Sequence, residues 1–152
     1  MEIEISEFLF KTGAAAMAGL LMGLERQFKG KPAGLKTNML VALGASAFII
    51  ISLIFENSDT TDMTRILGQI VVGVGFLGAG VILHGQNKRE VKGLATAATI
   101  WCSAAAGCFA GFGLYVPLLL FTLSVVIINM VFGYLNPKIK NHHHENREDS
   151  YE

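Results

Sequence analysis

Charge is what this sequence has least of. Only 16% of its 152 residues are Asp, Glu, Lys or Arg, against roughly a quarter in a soluble domain. From Leu94 to Pro137 there is none at all. A bilayer core of ~30 Å needs a helix of about 20 apolar residues, so this uncharged stretch has the length of two spans. Net charge is zero, which removes any bulk attraction to nucleic acid. Cysteine is scarce too. Cys102 and Cys108 both lie inside an apolar segment, six positions apart, which argues against a disulfide framework or zinc site and for small apolar packing residues. The N-terminus, Met1-Glu2-Ile3-Glu4-Ile5-Ser6-Glu7, is acidic where a signal peptide is basic, so the first apolar run is expected to be a retained span. There is no glycine-rich phosphate loop, nucleophile elbow or metalloprotease helix pattern. No enzyme activity, cofactor or metal site is expected.

What the sequence does have is apolar length. Hydrophobic residues make up 52%, gathered into five segments: Phe8–Leu24, Met39–Phe55, Ile66–Leu83, Leu94–Tyr115 and Val116–Leu135. The expected fold is an all-α integral membrane protein, a bundle of about five transmembrane helices in residues 1–135. Residues 136–152 form a short polar tail, expected to be disordered, whose His142, His143 and His144 read as solvated. Orientation follows from the basic residues. Ten of the twelve Lys and Arg fall in the loops Glu25–Asn38 and His84–Gly93 or in the tail, and only Lys11 and Arg65 on the other side. The N-terminus is expected outside and the C-terminus in the cytoplasm.

The spans are rich in small residues. Gly19 and Gly23 in the first, Gly73, Gly75, Gly78 and Gly80 in the third, and Gly107 and Gly111 in the fourth are spaced for close helix packing, which must replace the hydrophobic drive that lipid does not supply. The third span has more glycine than packing asks for, so a local break in it is one reading. The fifth, bulky and aliphatic, is expected to face lipid.

Polar side chains near hydrocarbon are costly and mark either helix ends or function. Glu25 and Arg26 end the first span, and Asn38 opens the second. Asp62 and Arg65, three apart, open the third and could pair on one face, with Gln69 a turn deeper. Thr96, Thr99 and Ser103 form a stripe along the fourth, and Asn129 lies deep in the fifth. Each has a structural alternative: interfacial anchoring for Glu25 and Arg26, helix capping for Asp62, bonds back to the helix for the Thr and Ser. His84, at a helix end in a basic loop, has no obvious partner. The acidic residues Glu2, Glu4, Glu7, Glu56, Asp59 and Asp62 could together sense divalent cations, though exposed carboxylates more often form a solvated surface.

Three segments carry a resemblance. Gly23-Leu24-Glu25-Arg26-Gln27 with Pro32 to Gly44, Asp62 to Ile82, and Val91-Lys92-Gly93-Leu94-Ala95-Thr96-Ala97-Ala98-Thr99-Ile100-Trp101 together resemble the signatures of the MgtC/SapB family, in order and in matching loops. The resemblance implies a multi-pass bacterial inner-membrane protein with five spans. Family members are linked to growth in low magnesium, acid tolerance and survival in host cells, and the best-known one is described as restraining the F-type ATP synthase. It places functional weight on Glu25, Asn38, Asp62, Arg65 and Thr96, with Cys102 where some members carry cysteine. Two departures stand out. Met63 replaces a frequent proline, and the sequence reads as a short form without the C-terminal ACT-like domain of many members. The expected role is regulation through membrane partners, the ATP synthase among them, by a homo-oligomer, most simply a dimer. The alternative is an oligomeric transporter or channel for Mg2+ or another small solute, using the polar set and a broken third helix.

Overall fold

Five helices account for nearly all of the chain in the computed structural model, which describes residues 4–55, 62–84 and 91–148, with side chains up to 134 apart from 83 and 84. They are α1 (Ile5–Phe28), α2 (Leu35–Ile54), α3 (Met63–Val81), α4 (Leu94–Gly111) and α5 (Tyr115–Glu148). Between α3 and α4 the strands β1 (Leu83–His84) and β2 (Val91–Lys92) pair antiparallel. All five helices are long and apolar enough to cross a membrane, with α5 contributing Tyr115–Tyr134. The backbone of α5 continues as helix through the polar stretch 136–148.

Local chemistry sets the ends. Asp62 caps α3 by accepting the Thr64 N–H at 3.0 Å, which satisfies one of the free donors of the first turn. Gly93 precedes α4 at φ +96°, where a Cβ would overlap the Val81 carbonyl, so only glycine suits the position. The reversal into α5 uses Gly113 at φ +73° and Pro117 in the first turn of the new helix, where a missing N–H costs nothing. α1 and α3 start a turn earlier than their apolar runs, because polar residues such as Ser6, Thr64 and Arg65 complete them at the interface.

α1, α2 and α4 form the centre. Their contact faces are alanine-rich, with Ala15, Ala18, Ala42, Ala106 and Ala110 all buried around Met22. Four of the glycines expected to pack helices do so here. A Cβ on Gly19 would lie 2.7 Å from the Met39 Cα, and one on Gly23 2.8 Å from the Leu35 Cα. On α4, a Cβ at Gly107 would overlap the Ala42 carbonyl oxygen, and one at Gly111 would lie 2.7 Å from the Ile49 Cβ. Glycine therefore lets three backbones approach where any side chain would hold them apart.

The third helix behaves differently. It runs unbroken from Met63 to Val81 through the whole glycine-rich stretch, so the local break considered from the sequence is absent. It leans on α4 and scarcely meets α2. Only Val74 and Gly78 are buried. Gly73, Gly75 and Gly80 have nothing within 4 Å of a built Cβ, and Gly78 makes an ordinary 3.6 Å approach to Ala97. Gly78 apart, these glycines of α3 do not serve packing among the described residues. α5 lies on α1 and α4 through Leu118, Thr122 and Val125, its other face open.

This division predicts opposite outcomes for one kind of substitution. Gly107→Ala should lower stability by about 1–3 kcal/mol through overpacking, whereas Gly75→Ala should be neutral or gain up to about 1 kcal/mol of helix propensity. Thermal unfolding of both variants in detergent, followed by circular dichroism, checks the pair.

Candidate functional site

Antiparallel succession gathers the end of α1, the starts of α2 and α4, and the end of α3 at one end of the bundle. There the α1–α2 connection turns back over hydrocarbon-facing helices, and its backbone oxygens need partners. Arg26 and Asn38 supply them. The Arg26 side chain is only 2% exposed. Its Nε and Nη2 donate to the Pro32 carbonyl at 3.3 and 3.2 Å. Across the interface, Nη2 also donates to the Thr96 hydroxyl and Nη1 to the Thr99 hydroxyl at 3.4 Å. Thr99 in turn donates to the Ala95 carbonyl at 2.9 Å.

Asn38 is completely buried. Its Nδ2 donates to the Ala33 and Gly34 carbonyls at 2.7 and 2.8 Å, and its Oδ1 accepts from the Ser103 hydroxyl at 2.8 Å. Both amide protons and the amide oxygen are thus used, which fixes the orientation of the group. Three consecutive carbonyls, those of Pro32, Ala33 and Gly34, are each held by a buried side chain. They hold a strained turn, because Ala33 has φ +54°, a left-handed conformation costing a non-glycine residue about 1–2 kcal/mol.

Glu25 points away from this cluster. It pairs with Lys29 at 2.6 Å, and the pair presses on α5, where a Cβ at Gly133 would lie 2.9 Å from the Glu25 Oε1. Asp62, Arg65 and Gln69 lie at the opposite end, since α3 runs antiparallel to α4, its Gly78 meeting Ala97. Asp62 does not pair with Arg65 among the described residues. Its Oδ1 accepts the Thr64 hydroxyl at 2.6 Å and the Thr64 N–H. These two bonds, the hydroxyl's foremost, hold its carboxyl below the usual carboxylate range. Arg65 and Gln69 instead line an apolar groove of about 690 Å3 between α2 and α3. The polar residues singled out from the sequence therefore split into two sites rather than converging on one.

Other assignments resolve singly. Cys102 and Cys108 are free and half-buried. Asn129 leaves its Nδ2 buried without a partner among the described residues. Of the acidic set, Glu7 pairs with Lys11 at 2.6 Å and Glu4 accepts from Ser6. Glu2, Glu56 and Asp59, like Lys88 and Arg89, lie outside the described residues, as do the side chains of His84 and of the three tail histidines. Among the described residues, no three His, Cys, Asp or Glu lie close enough to share a metal ion.

The MgtC family model matches residues 13–137. The chain belongs to the MgtC family. An uncharacterised Synechocystis protein is 44% identical over 140 residues, covering 92% of this chain and 58% of that protein. Protein MgtC of Brucella abortus is 47% identical over 115 residues, 76% of this chain and 47% of its own length. Protein MgtC of Salmonella typhimurium is 45% identical over 118 residues, 78% and 49%. The chain thus spans about half the length of the curated relatives it matches. No solved structure matches it significantly. Family membership and the five apolar helices make this a multi-pass membrane protein. The matched region contains both the Arg26–Asn38 clamp and the α2–α3 groove.

The sequence marks Arg26, Asn38, Thr96 and Thr99, but not the carbonyls of Pro32, Ala33 and Gly34 that Arg26 and Asn38 hold. Ser103, noted only as part of a stripe, supplies a key bond. The signal for it was the spacing Thr96, Thr99, Ser103, which puts all three on one side of α4.

Removing the clamp should unseat the turn. Arg26→Ala should lower stability by about 3 kcal/mol, because buried acceptors lose their donors. Arg26→Lys should not restore it, since an ammonium cannot span the fork of acceptors. Asn38→Leu, the same in side-chain branching but without donor or acceptor, should cost about 2–4 kcal/mol for the same reason. Chemical denaturation in detergent measures all three.

Proposed function

We propose that this chain is an MgtC-type regulator of the bacterial inner membrane, serving adaptation to low magnesium or related stress by lateral association with other membrane proteins, and not by catalysis. The observation that supports it is how the polar residues are used. Arg26, Asn38, Thr96, Thr99 and Ser103 spend their hydrogen bonds inside the bundle. What remains for function is the lateral surface, above all α3, of which only 11% is buried within the chain. A helix so open, in a protein whose other helices pack through glycine, suits docking by further membrane components. The N-terminus lies outside and the C-terminus in the cytoplasm on the positive-inside argument, which puts the Arg26–Asn38 clamp at the cytoplasmic end. The F-type ATP synthase is one candidate partner, from the family resemblance.

The transport reading asks for a polar path between the Asp62 end and the Thr96 end. Between them the groove wall is apolar from Ile70 to Leu77, so among the described residues one copy offers no continuous path and a dimer or larger assembly would have to build one.

Affinity purification from native membranes should recover a membrane-protein partner in stoichiometric amount under magnesium starvation. Recovery of this protein alone, under starvation and in rich growth, would overturn the regulator reading. Liposomes containing the purified protein should pass Mg2+, K+ and protons no faster than empty vesicles. Flux above that level would favour transport.

A further inference from the structure

The groove between α2 and α3 has an order of chemistry along it. At its mouth, in the first turn of α3, lies Arg65, whose guanidinium has no hydrogen bond or ion pair among the described residues. Gln69 follows one helical turn, ~5.4 Å, deeper. Beyond it the walls are apolar, built by Ile70, Gly73 and Leu77 on α3 and by Gly44 and Phe48 on α2. From Arg65 to Leu77 the groove follows twelve residues of helix, about 18 Å, close to the ~15 Å hydrocarbon depth of one leaflet. Its volume, about 690 Å3, is that of an ordinary ligand site (roughly 300–1,000 Å3). Among the described residues, nothing lies within 4 Å of a Cβ placed at Gly44 or Gly73.

A cation at interface depth, then a neutral amide, then an apolar trough is the order of groups in a glycerophospholipid: phosphate, ester, acyl chain. A transmembrane helix from a second protein would not ask for that order. Asp62 refines the match. It opens the same helix three residues before Arg65, close enough for their charges to interact. Both hydrogen bonds from Thr64 fall on its Oδ1, leaving Oδ2 for a headgroup. Cation and anion side by side complement a zwitterionic headgroup better than an anionic one, which Asp62 repels.

We propose that the α2–α3 groove binds one phospholipid of the phosphatidylethanolamine type, with an acyl chain between Gly44 and Gly73, the ester carbonyl on the Gln69 amide, the phosphate on Arg65 and the ammonium on Asp62. The site is independent of the regulatory reading, since it concerns what this bundle holds rather than whom it regulates.

Native mass spectrometry of the full chain tests it. The protein would be purified in detergent and supplied with an equimolar mixture of phosphatidylethanolamine and phosphatidylglycerol. One phosphatidylethanolamine should be retained per chain, in clear preference to phosphatidylglycerol. Arg65→Gln should weaken retention about tenfold, the loss of one charge-assisted contact. Gly73→Leu, whose Cβ meets nothing within 4 Å and whose side chain occupies the trough, should abolish retention without lowering the unfolding temperature. Asp62→Asn, which preserves the helix cap, should keep the lipid but lose the preference. The proposal is overturned if Arg65→Gln and Gly73→Leu hold lipid as well as the parent chain, or if the parent holds both lipids equally. It is also overturned if a Leu77→Cys variant cross-links copies quantitatively in native membranes, because a second chain would then occupy the groove.

Discussion

A turn that reverses the chain at the end of a membrane bundle must satisfy its own carbonyl groups with whatever the neighbouring helices provide. In this protein that requirement falls on three consecutive oxygens, those of Pro32, Ala33 and Gly34, and is met by two buried side chains. Everything at that end follows from it. Arg26 can reach Pro32 and both threonines only because Gly19 and Gly23 let α1 lie against the start of α2. Asn38 can hold Ala33 and Gly34 only because Ser103 engages its oxygen from α4. The strained φ of Ala33 persists because its carbonyl is held. Polar network and glycine contact are thus one device: backbones must approach closely for side chains this short to bridge three helices.

The same reasoning gives the exposed glycines of α3 their meaning. Where glycine permits close approach inside the bundle, a neighbouring backbone is found within 3 Å of the missing Cβ. At Gly73, Gly75 and Gly80 on α3 the space among the described residues is empty. Each such glycine lowers helix propensity by about 1 kcal/mol relative to alanine, with no packing inside the chain to offset it. On the lipid proposal, that cost is offset outside the chain, by what fills the α2–α3 groove. Arg65 and Gln69 lie only at one end of the α2–α3 groove, so that groove belongs to the lipid. The opposite side of α3, with Val72, Gly75 and Phe76, is exposed.

Much of this was legible beforehand. The number of helices, the absence of charge between Leu94 and Pro137, and the turn at Gly113 and Pro117 follow from composition and from the length a bilayer demands. The packing roles of Gly19, Gly23, Gly107 and Gly111 could be read from four-residue spacing. Identical spacing in α3 gave the opposite outcome, because spacing reports that an approach is permitted, not that a neighbour within the chain takes it. The clamp was half-visible. Arg26, Asn38, Thr96 and Thr99 stood out as polar groups at depth, but the turn carbonyls that Arg26 and Asn38 hold are backbone atoms, which no side-chain pattern displays. The left-handed Ala33 was invisible for the same reason, since alanine carries no sign of positive φ. The Asp62–Arg65 spacing suggested an ion pair; the local bonds from Thr64 took the carboxylate instead, as short-range capping commonly does.

The split of the polar set bears on how such a bundle can act. Had Arg26, Asn38, Asp62, Arg65 and Thr96 met in one cavity, a solute site would be the natural conclusion, since convergent polar groups in a membrane define a path. They are separated by most of the length of α3. One group is buried and turned inward, its hydrogen bonds made in holding a turn. The other is open, with an arginine facing an apolar trough. A bundle anchored at one end and incomplete at the other responds at the incomplete end, because only there can a ligand add contacts that the chain does not already make.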